Sequence, residues 1–238
     1  MSKHFNLVGL FSLVCLAVVM TACGGTARLE EKSNEAVIVN RPSNVVVETF
    51  NGNIEVVTGA DDKVAVEVTK FTGSGRREAL QNIQFSISQD AQTVTVKAQW
   101  PADAPNNLNF TGADLKVSVP AGSPVQAVVG NGNITYRGMP GEGNYGFKVG
   151  NGDVVYAAAL GQGQYDLGVG NGSIDLQLPA ETQFSINATV GNGNITNEYP
   201  VTDTASDERT LKGTVGSNPQ AAITASVGNG SVKVRRSN

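Results

Sequence analysis

The stretch VGNGDVVYAAALGQGQYDLGVGNGSIDLQL, residues 149–178, contains the tripeptide Gly-Asn-Gly twice, with the two asparagines twenty residues apart. In each copy an apolar arm precedes the tripeptide, and one small polar residue and a second apolar arm follow it. With the degenerate copy Phe-Asn-Gly, the asparagines of this motif are Asn51, Asn131, Asn151, Asn171, Asn192 and Asn229. A fixed period of about twenty residues is typical of stacked units that cannot bury their apolar faces alone.

Two architectures satisfy this pattern. Asn-Gly between alternating strands is a strong β-hairpin signal, and in a hairpin Val149 would face Val154 across a type I′ turn. Alternatively, each unit is one coil of a single-stranded β-helix, or β-solenoid, with the six asparagines at its corners and successive copies stacked about 4.8 Å apart. Periodicity leaves open both this β-solenoid and the antiparallel hairpin meander. Either one predicts an all-β fold over residues 36–238, with one short helix near residues 76–82.

The amino-terminal segment has the composition of an export signal. Lys3 and His4 precede a nearly continuous apolar run, and residues 20–23 read Met-Thr-Ala-Cys. This order of charged end, apolar core and small-residue site predicts a signal peptide over residues 1–22. Residues 20–23 resemble the bacterial lipobox. Cys23 would then carry the lipid anchor, and the polar residues 23–35 would be a tether. The alternative is an uncleaved membrane anchor, since residues 5–22 are near the lower length limit for a spanning helix.

Signal cleavage would restrict the chemistry of the mature chain. It removes the only histidine, His4, and one of the two cysteines, Cys15, while Cys23 is acylated. A disulfide, a Cys/His metal site and a Ser-His-Asp or Cys-His triad are thereby excluded. The net charge of the whole chain is −4, and it becomes one unit more negative without Lys3, so no nucleic-acid partner is expected.

Four features of the sequence suggest a site, and the first three do not fulfil the requirements of its chemistry. Residues 141–146 match Gly-x-Gly-x-x-Gly, but a strand pattern follows where a dinucleotide site needs a helix. Asp153 resembles part of a calcium-binding repeat, but its equivalent slots hold a single carboxylate in all, so no metal is expected. Other carboxylates are scattered along the chain, and no catalytic residue is predicted from them; they are Asp61, Asp62, Asp166, Asp175 and Glu181.

An outward-facing set of tyrosines would make a stacking face for a sugar or peptide, although Tyr165 falls on the apolar side; the set is Tyr136, Tyr156, Tyr165 and Tyr199.

A sequence pattern recurs along the chain: a strand, Gly-Asn-Gly or Phe-Asn-Gly, one polar residue and Ile. This pattern resembles a family of bacterial envelope proteins named "putative adhesins", with head-GIN-like domains. The resemblance covers residues 45–54 and 115–120 and every Gly-Asn-Gly copy. It implies a single-stranded β-helix at the cell envelope and brings no agreed biochemical activity.

We therefore expect a non-catalytic lipoprotein with no cofactor, held to a membrane through Cys23, with a structural or adhesin-like binding role toward an envelope glycan or protein. The location would be the outer membrane of a Gram-negative cell, or otherwise the outer face of the plasma membrane. Two other functions stay open. One is a ligand- or peptide-binding module in envelope-stress signalling, using the irregular residues 100–111 or 200–209. The other is a polysaccharide-acting enzyme, which would need acidic or basic side chains converging in a groove. The sequence does not fix the oligomeric state.

Overall fold

The computed structural model of the chain describes residues 11–17, 28–39, 43–102 and 110–237, with only the backbone of residues 11–17 and 203–206. These ranges form strands throughout, apart from the single helix α1 (Arg77–Asn82), which confirms the all-β class and the short helix near residues 76–82. The strands are β1 (Phe11–Ala17), β2 (Leu29–Ile38), β3 (Asn44–Asn51), β4 (Ile54–Thr58), β5 (Lys63–Thr72), β6 (Gln84–Gln89), β7 (Thr93–Gln99), β8 (Thr111–Val119), β9 (Val125–Asn131), β10 (Ile134–Arg137), β11 (Gly143–Asn151), β12 (Val154–Ala157), β13 (Gly163–Pro179), β14 (Phe184–Asn197), β15 (Thr202–Ser206), β16 (Thr210–Val215) and β17 (Ala221–Ser237).

The Gly-Asn-Gly units stack on one another in parallel and in register. β11 pairs with β9 on one side and β13 on the other, so that Val149 lies beside Val129 and Val169. After the tripeptide, Val154 of β12 pairs with Ile134 and Ile174 in the same way. A hairpin would pair Val149 with Val154, so the hairpin interpretation is wrong for these units. Each unit instead contributes two strands, one on each side of the tripeptide, that pair in parallel with the equivalent strands of other units, and we call this two-strand unit a coil.

The second glycine of the motif is required by the backbone. Gly152 has a φ of +131°, a conformation that residues with a side chain rarely adopt. A Cβ built on it would lie 2.0 Å from the carbonyl oxygen of Gly132 in the adjacent coil. The repeated glycine therefore follows from close packing of coil on coil as well as from the turn between the two arms.

The first position of the motif explains the degenerate Phe-Asn-Gly copy. A Cβ on Gly150 would approach the carbonyl oxygen of Gly130 to 2.5 Å, and Gly130 has a similar approach of 2.4 Å to Phe50. Phe50 lies in the first of these coils, and its ring instead packs against Trp100, with centroids 6.2 Å apart. The first glycine of the motif is therefore needed only where the preceding coil has the same motif and its backbone oxygen lies against that position.

The order of the coils differs from the order of the units along the chain. β13 pairs in parallel with β17 from Gly163↔Ala221 to Pro179↔Ser237, and β17 pairs in parallel with β14. The carboxy-terminal strand thus lies between the two strands that precede it in the repeat. The expectation that consecutive units are neighbours is correct from Asn131 to Asn171 and wrong after it. The Asn192 and Asn229 copies have equivalent sequences, so either could pair with the Asn171 copy.

Antiparallel strands flank both ends of the stack. At one end β16 covers the first arm of β14, and β15 pairs with β16. At the other end β7 and β8 continue the parallel stack below β3 and β4, and β6, β5 and β2 then add antiparallel strands. Stacked strands would otherwise expose unpaired edges, which promote aggregation.

β2 lies largely within the segment predicted as a polar tether. It pairs with β5 over ten residues, from Leu29↔Thr72 to Ile38↔Lys63. Its polar composition reflects a half-exposed strand. Just before the strand, Arg28 donates to Asp114 at 2.9 Å and lies 4.0 Å from the centre of the Phe71 ring. β1 falls inside the predicted signal peptide and pairs with β2 in an antiparallel manner.

Inward-facing side chains of the two arms fill the space between them. Tyr136 and Tyr156 occupy one slot in adjacent coils, and their rings stack with centroids 5.0 Å apart and an interplanar angle of 7°. Tyr145 and Tyr165 stack in the same way from the other arm, at 5.0 Å and 6°. Each aromatic pair contributes about 0.5–1.5 kcal/mol beyond the burial of its area. The in-register stack thus converts a sequence repeat into a repeated core contact.

Candidate binding surface

The six motif asparagines form one continuous ladder of side-chain hydrogen bonds. Asn151 donates its Nδ2 to Oδ1 of Asn131 at 2.8 Å and accepts from Nδ2 of Asn171 at 2.8 Å. In spatial order the ladder is Asn51, Asn131, Asn151, Asn171, Asn229 and Asn192, and every step is 2.7–2.8 Å. At its first end Asn51 donates to the carbonyl oxygen of Thr111 at 3.0 Å. These amides therefore bond to one another, which is a structural role and leaves them little capacity for a ligand.

The polar residue after the tripeptide makes a second, less regular ladder that sequence reasoning missed. Oδ1 of Asn133 accepts the backbone N–H of Asp153 at 2.9 Å, and Oδ1 of Asp153 accepts that of Ser173 at 2.7 Å. Asn133 itself donates to Asn53 in the preceding coil. The variation among Asn, Asp and Ser in this slot was the available signal, since a short side-chain oxygen is the shared feature of all three.

The carboxylates considered as catalytic or metal ligands do not converge. Asp166 pairs with Lys148 at 2.8 Å on the first arms, and Asp175 pairs with Arg235 on the second arms. Asp61 and Asp62 are exposed in a turn. Within the described ranges no three of His, Cys, Asp and Glu lie close enough to hold a metal ion. Partial burial acts to raise the pKa of Asp175, but hydrogen bonds from Arg235 and Gln177 hold it below its ordinary value. Asp166 and Asp175 are therefore engaged in local ion pairs.

The tyrosines do not form an exposed stacking face. All five lie in the core, with 0–4% of their surface exposed, so the outward interpretation of Tyr136, Tyr156 and Tyr199 is wrong, and Tyr165 is buried as its position predicts. Tyr165 accepts the N–H of Gly161 at 2.6 Å, and Tyr199 donates to the carbonyl oxygen of Leu178 at 2.6 Å. Their apolar bodies and satisfied hydroxyls serve packing.

The outer surface of the first arms contains a shallow depression. We call the outward side of β3, β9, β11, β13 and β17 the first-arm face. Gly146 lies beside Asp166, and Lys148 beside Gly168, so each charged side chain is next to a glycine in the adjacent coil. The space above the glycines allows Lys148 and Asp166 to meet diagonally. Val128, which is 44% exposed, adds an apolar patch at the rim.

Polar side chains around this depression lack protein partners. Gln126, Asn144, Gln164 and Ser226 line it and are exposed, and within the described residues their side chains make no hydrogen bond. Asn144 and Gln164 are paired in register on adjacent strands, at the strand spacing of about 4.8 Å. Each amide offers two donors and one acceptor oxygen. The depression therefore combines free amides, a hydroxyl, an ion pair and a small apolar patch on a rigid sheet.

The predicted lipid anchor lies elsewhere. Cys23 and the residues next to it are outside the described ranges, so the anchor and the cleavage site stay predictions. The described part of the chain has no helix with the length and hydropathy to cross a membrane.

Comparison with solved structures shows the same fold in a protein of very different sequence. A "putative cell adhesion protein" from Clostridium sporogenes is 12% identical, with a TM-score of 0.61 over 87% of this chain and 100% of that one. A "putative adhesin" from Parabacteroides merdae is also 12% identical, with a TM-score of 0.44 over 85% of this chain and 80% of that one. No family model and no curated protein matches the sequence. At this identity the likeness establishes the architecture alone.

Proposed function

We propose that the chain is a non-catalytic cell-envelope lipoprotein that binds an envelope glycan through the first-arm face. The stacked coils would be a single-stranded β-helix, held at the membrane by acylated Cys23 and presenting this face to the polymer. The observation that carries the proposal is the depression over Gly146 and Gly168, surrounded by side-chain amides that have no partner within the described ranges.

The chemistry of the depression favours a glycan. Sugars present hydroxyl groups that both donate and accept, which the amides of Asn144 and Gln164 match. Asn144 and Gln164 are in register one strand spacing apart, so both amides can reach one bound sugar chain.

The likeness to the Clostridium sporogenes protein supports a binding role, since a cell adhesion protein acts by attachment. Of the two alternative sites for a stress-signalling ligand, residues 100–111 include residues 103–109, which lie outside the described ranges. The other, residues 200–209, has a structural role: the carbonyl oxygens of Glu208 and Arg209 accept the N–H groups of Ile195 and Val190. The described residues of that segment therefore support the end of the stack.

Glycan binding is tested with the full-length protein in detergent on an array of bacterial envelope polysaccharides, followed by calorimetry on the best ligand. Replacing both amides (Asn144→Ala with Gln164→Ala) should weaken binding roughly tenfold or more, because two hydrogen bonds of about 1 kcal/mol each are lost. The matched control, Asn34→Ala with Gln81→Ala, removes two exposed amides away from this face that have no hydrogen bond to another described residue, and it should bind normally. Equal binding by both variants, or binding only to envelope proteins, would contradict the glycan site.

The anchor is tested separately. Cys23→Ser should abolish incorporation of labelled fatty acid and release the protein from the membrane fraction. If the variant stays membrane-bound with unchanged mobility and the wild type takes up no label, the lipoprotein proposal is wrong. This result is independent of glycan binding.

A further inference from the structure

The chain contains six Asn-Gly dipeptides, the sequence most prone to spontaneous deamidation because glycine offers no side chain to shield its nitrogen. In this reaction the glycine nitrogen forms a bond to Cγ of the asparagine, and the amide nitrogen leaves as ammonia. Water then opens the resulting succinimide, at one carbonyl to give aspartate or at the other to give isoaspartate. The rate depends on whether the glycine N–H is free and whether the asparagine can rotate.

Inside the stack both requirements are blocked. The N–H groups of Gly52, Gly132 and Gly152 each donate to the backbone oxygen of the asparagine in the next coil, at 2.9 Å. The amides of the interior asparagines are held on both sides by the ladder. An N–H in a hydrogen bond is harder to deprotonate, and a side chain with two fixed partners is harder to turn.

Asn192 and Gly193 stand at the outer end of the stack. Asn192 donates to Asn229 at 2.8 Å, but among the described residues nothing donates to its Oδ1. On its outer side β16 pairs only from Phe184 to Thr189, and beyond it Glu208 and Arg209 accept the N–H groups of Ile195 and Val190. Among the described residues no further coil follows to accept the N–H of Gly193, and Gly193 is exposed where Gly132 is half-buried.

We infer that Asn192 is the site at which this protein deamidates, and that the other five Asn-Gly pairs are protected by the coil stacked on them. The chain provides its own matched control. Residues 129–135 and 190–196 both read Val-Gly-Asn-Gly-Asn-Ile-Thr, so Asn131 and Asn192 share their local sequence and differ in their place in the stack. Conversion of Asn192 places a carboxylate against Oδ1 of Asn229 and removes the last rung of the ladder.

The test is a time course of the full-length protein at mildly alkaline pH, with peptide mass spectrometry and an isoaspartate-specific methyl label. Asn192 should convert at least about fivefold faster than Asn131, the factor that one ordinary hydrogen bond produces. In strong denaturant the two sites should convert at equal rates, and Asn192→Gln should remove the early isoaspartate label. Equal rates in the folded protein, or a faster Asn192 in denaturant, would each overturn the inference.

Discussion

Asn229 donates its side-chain amide to Asn171 at 2.8 Å, although 58 residues separate the two in the chain. Asn192, which lies between them in sequence, donates to Asn229 from the opposite side at 2.8 Å. The carboxy-terminal strand is therefore an interior coil, with parallel neighbours on both sides. The last segment of the chain therefore contributes an inner strand, on which the packing of β13 and β14 depends.

This topology predicts a large effect of truncation. A chain ending after Gly216 lacks β17 and leaves β13 and β14 without their shared neighbour, so we expect loss of the cooperative urea transition followed by circular dichroism. The matched control ends after Arg235, which keeps the ion pair with Asp175 and should change stability by no more than about 1 kcal/mol. A cooperative transition of normal midpoint in the longer deletion would show that β17 is dispensable.

The asparagine ladder predicts that charge is tolerated poorly inside it. Asn151→Asp removes the donor to Oδ1 of Asn131 and places two oxygens in contact, so the free energy of unfolding should fall by about 1–3 kcal/mol. Asn187→Asp makes the same change at an exposed position whose side chain bonds to no other residue of the described part of the chain, and it should stay within about 0.5 kcal/mol of wild type. Equal losses in urea denaturation would mean that the ladder contributes no stability.

The two kinds of glycine predict different tolerance to a methyl group. Gly152→Ala combines a φ of +131° with a contact of 2.0 Å to a backbone oxygen, and we expect destabilisation of about 2 kcal/mol or more. In Gly146→Ala the nearest atom is Cγ of Gln126 at 3.6 Å, an ordinary contact, so stability should hold. Thermal unfolding of the two variants separates them, and similar melting temperatures would contradict the backbone argument.

Much of this architecture follows from the repeat itself. Gly-Asn-Gly predicts stacking because only glycine fits both the positive φ and the approach of the adjacent coil, and only a side chain with donor and acceptor can form a ladder. The order of the coils could not be predicted from the sequence, because the Asn192 and Asn229 copies are equally able to pair with the Asn171 copy. The first-arm depression was also missed, since Gly146 and Gly168 belong to non-repeating outward positions that no period emphasises.

The buried tyrosines predict a stability that fails at high pH. Burial, opposed by the hydrogen bond from the N–H of Gly161, raises the pKa of Tyr165 from 10.0 to about 12. Burial likewise raises the pKa of Tyr136, Tyr145 and Tyr156. A raised pKa in the folded state means that the stability contribution is complete below the unfolded value near 10 and is lost as the pH rises through the folded value.

The free energy of unfolding in urea should therefore be level up to about pH 9 and then fall as unfolded tyrosines ionise. Phenolate absorbance should rise together with unfolding rather than before it. Tyr165→Phe should lose about 1 kcal/mol at neutral pH, because the N–H of Gly161 loses its acceptor, but it should depend less steeply on pH above 10. An unchanged slope in Tyr165→Phe, or phenolate formation near pH 10 in the folded protein, would mean that Tyr165 titrates as an exposed tyrosine.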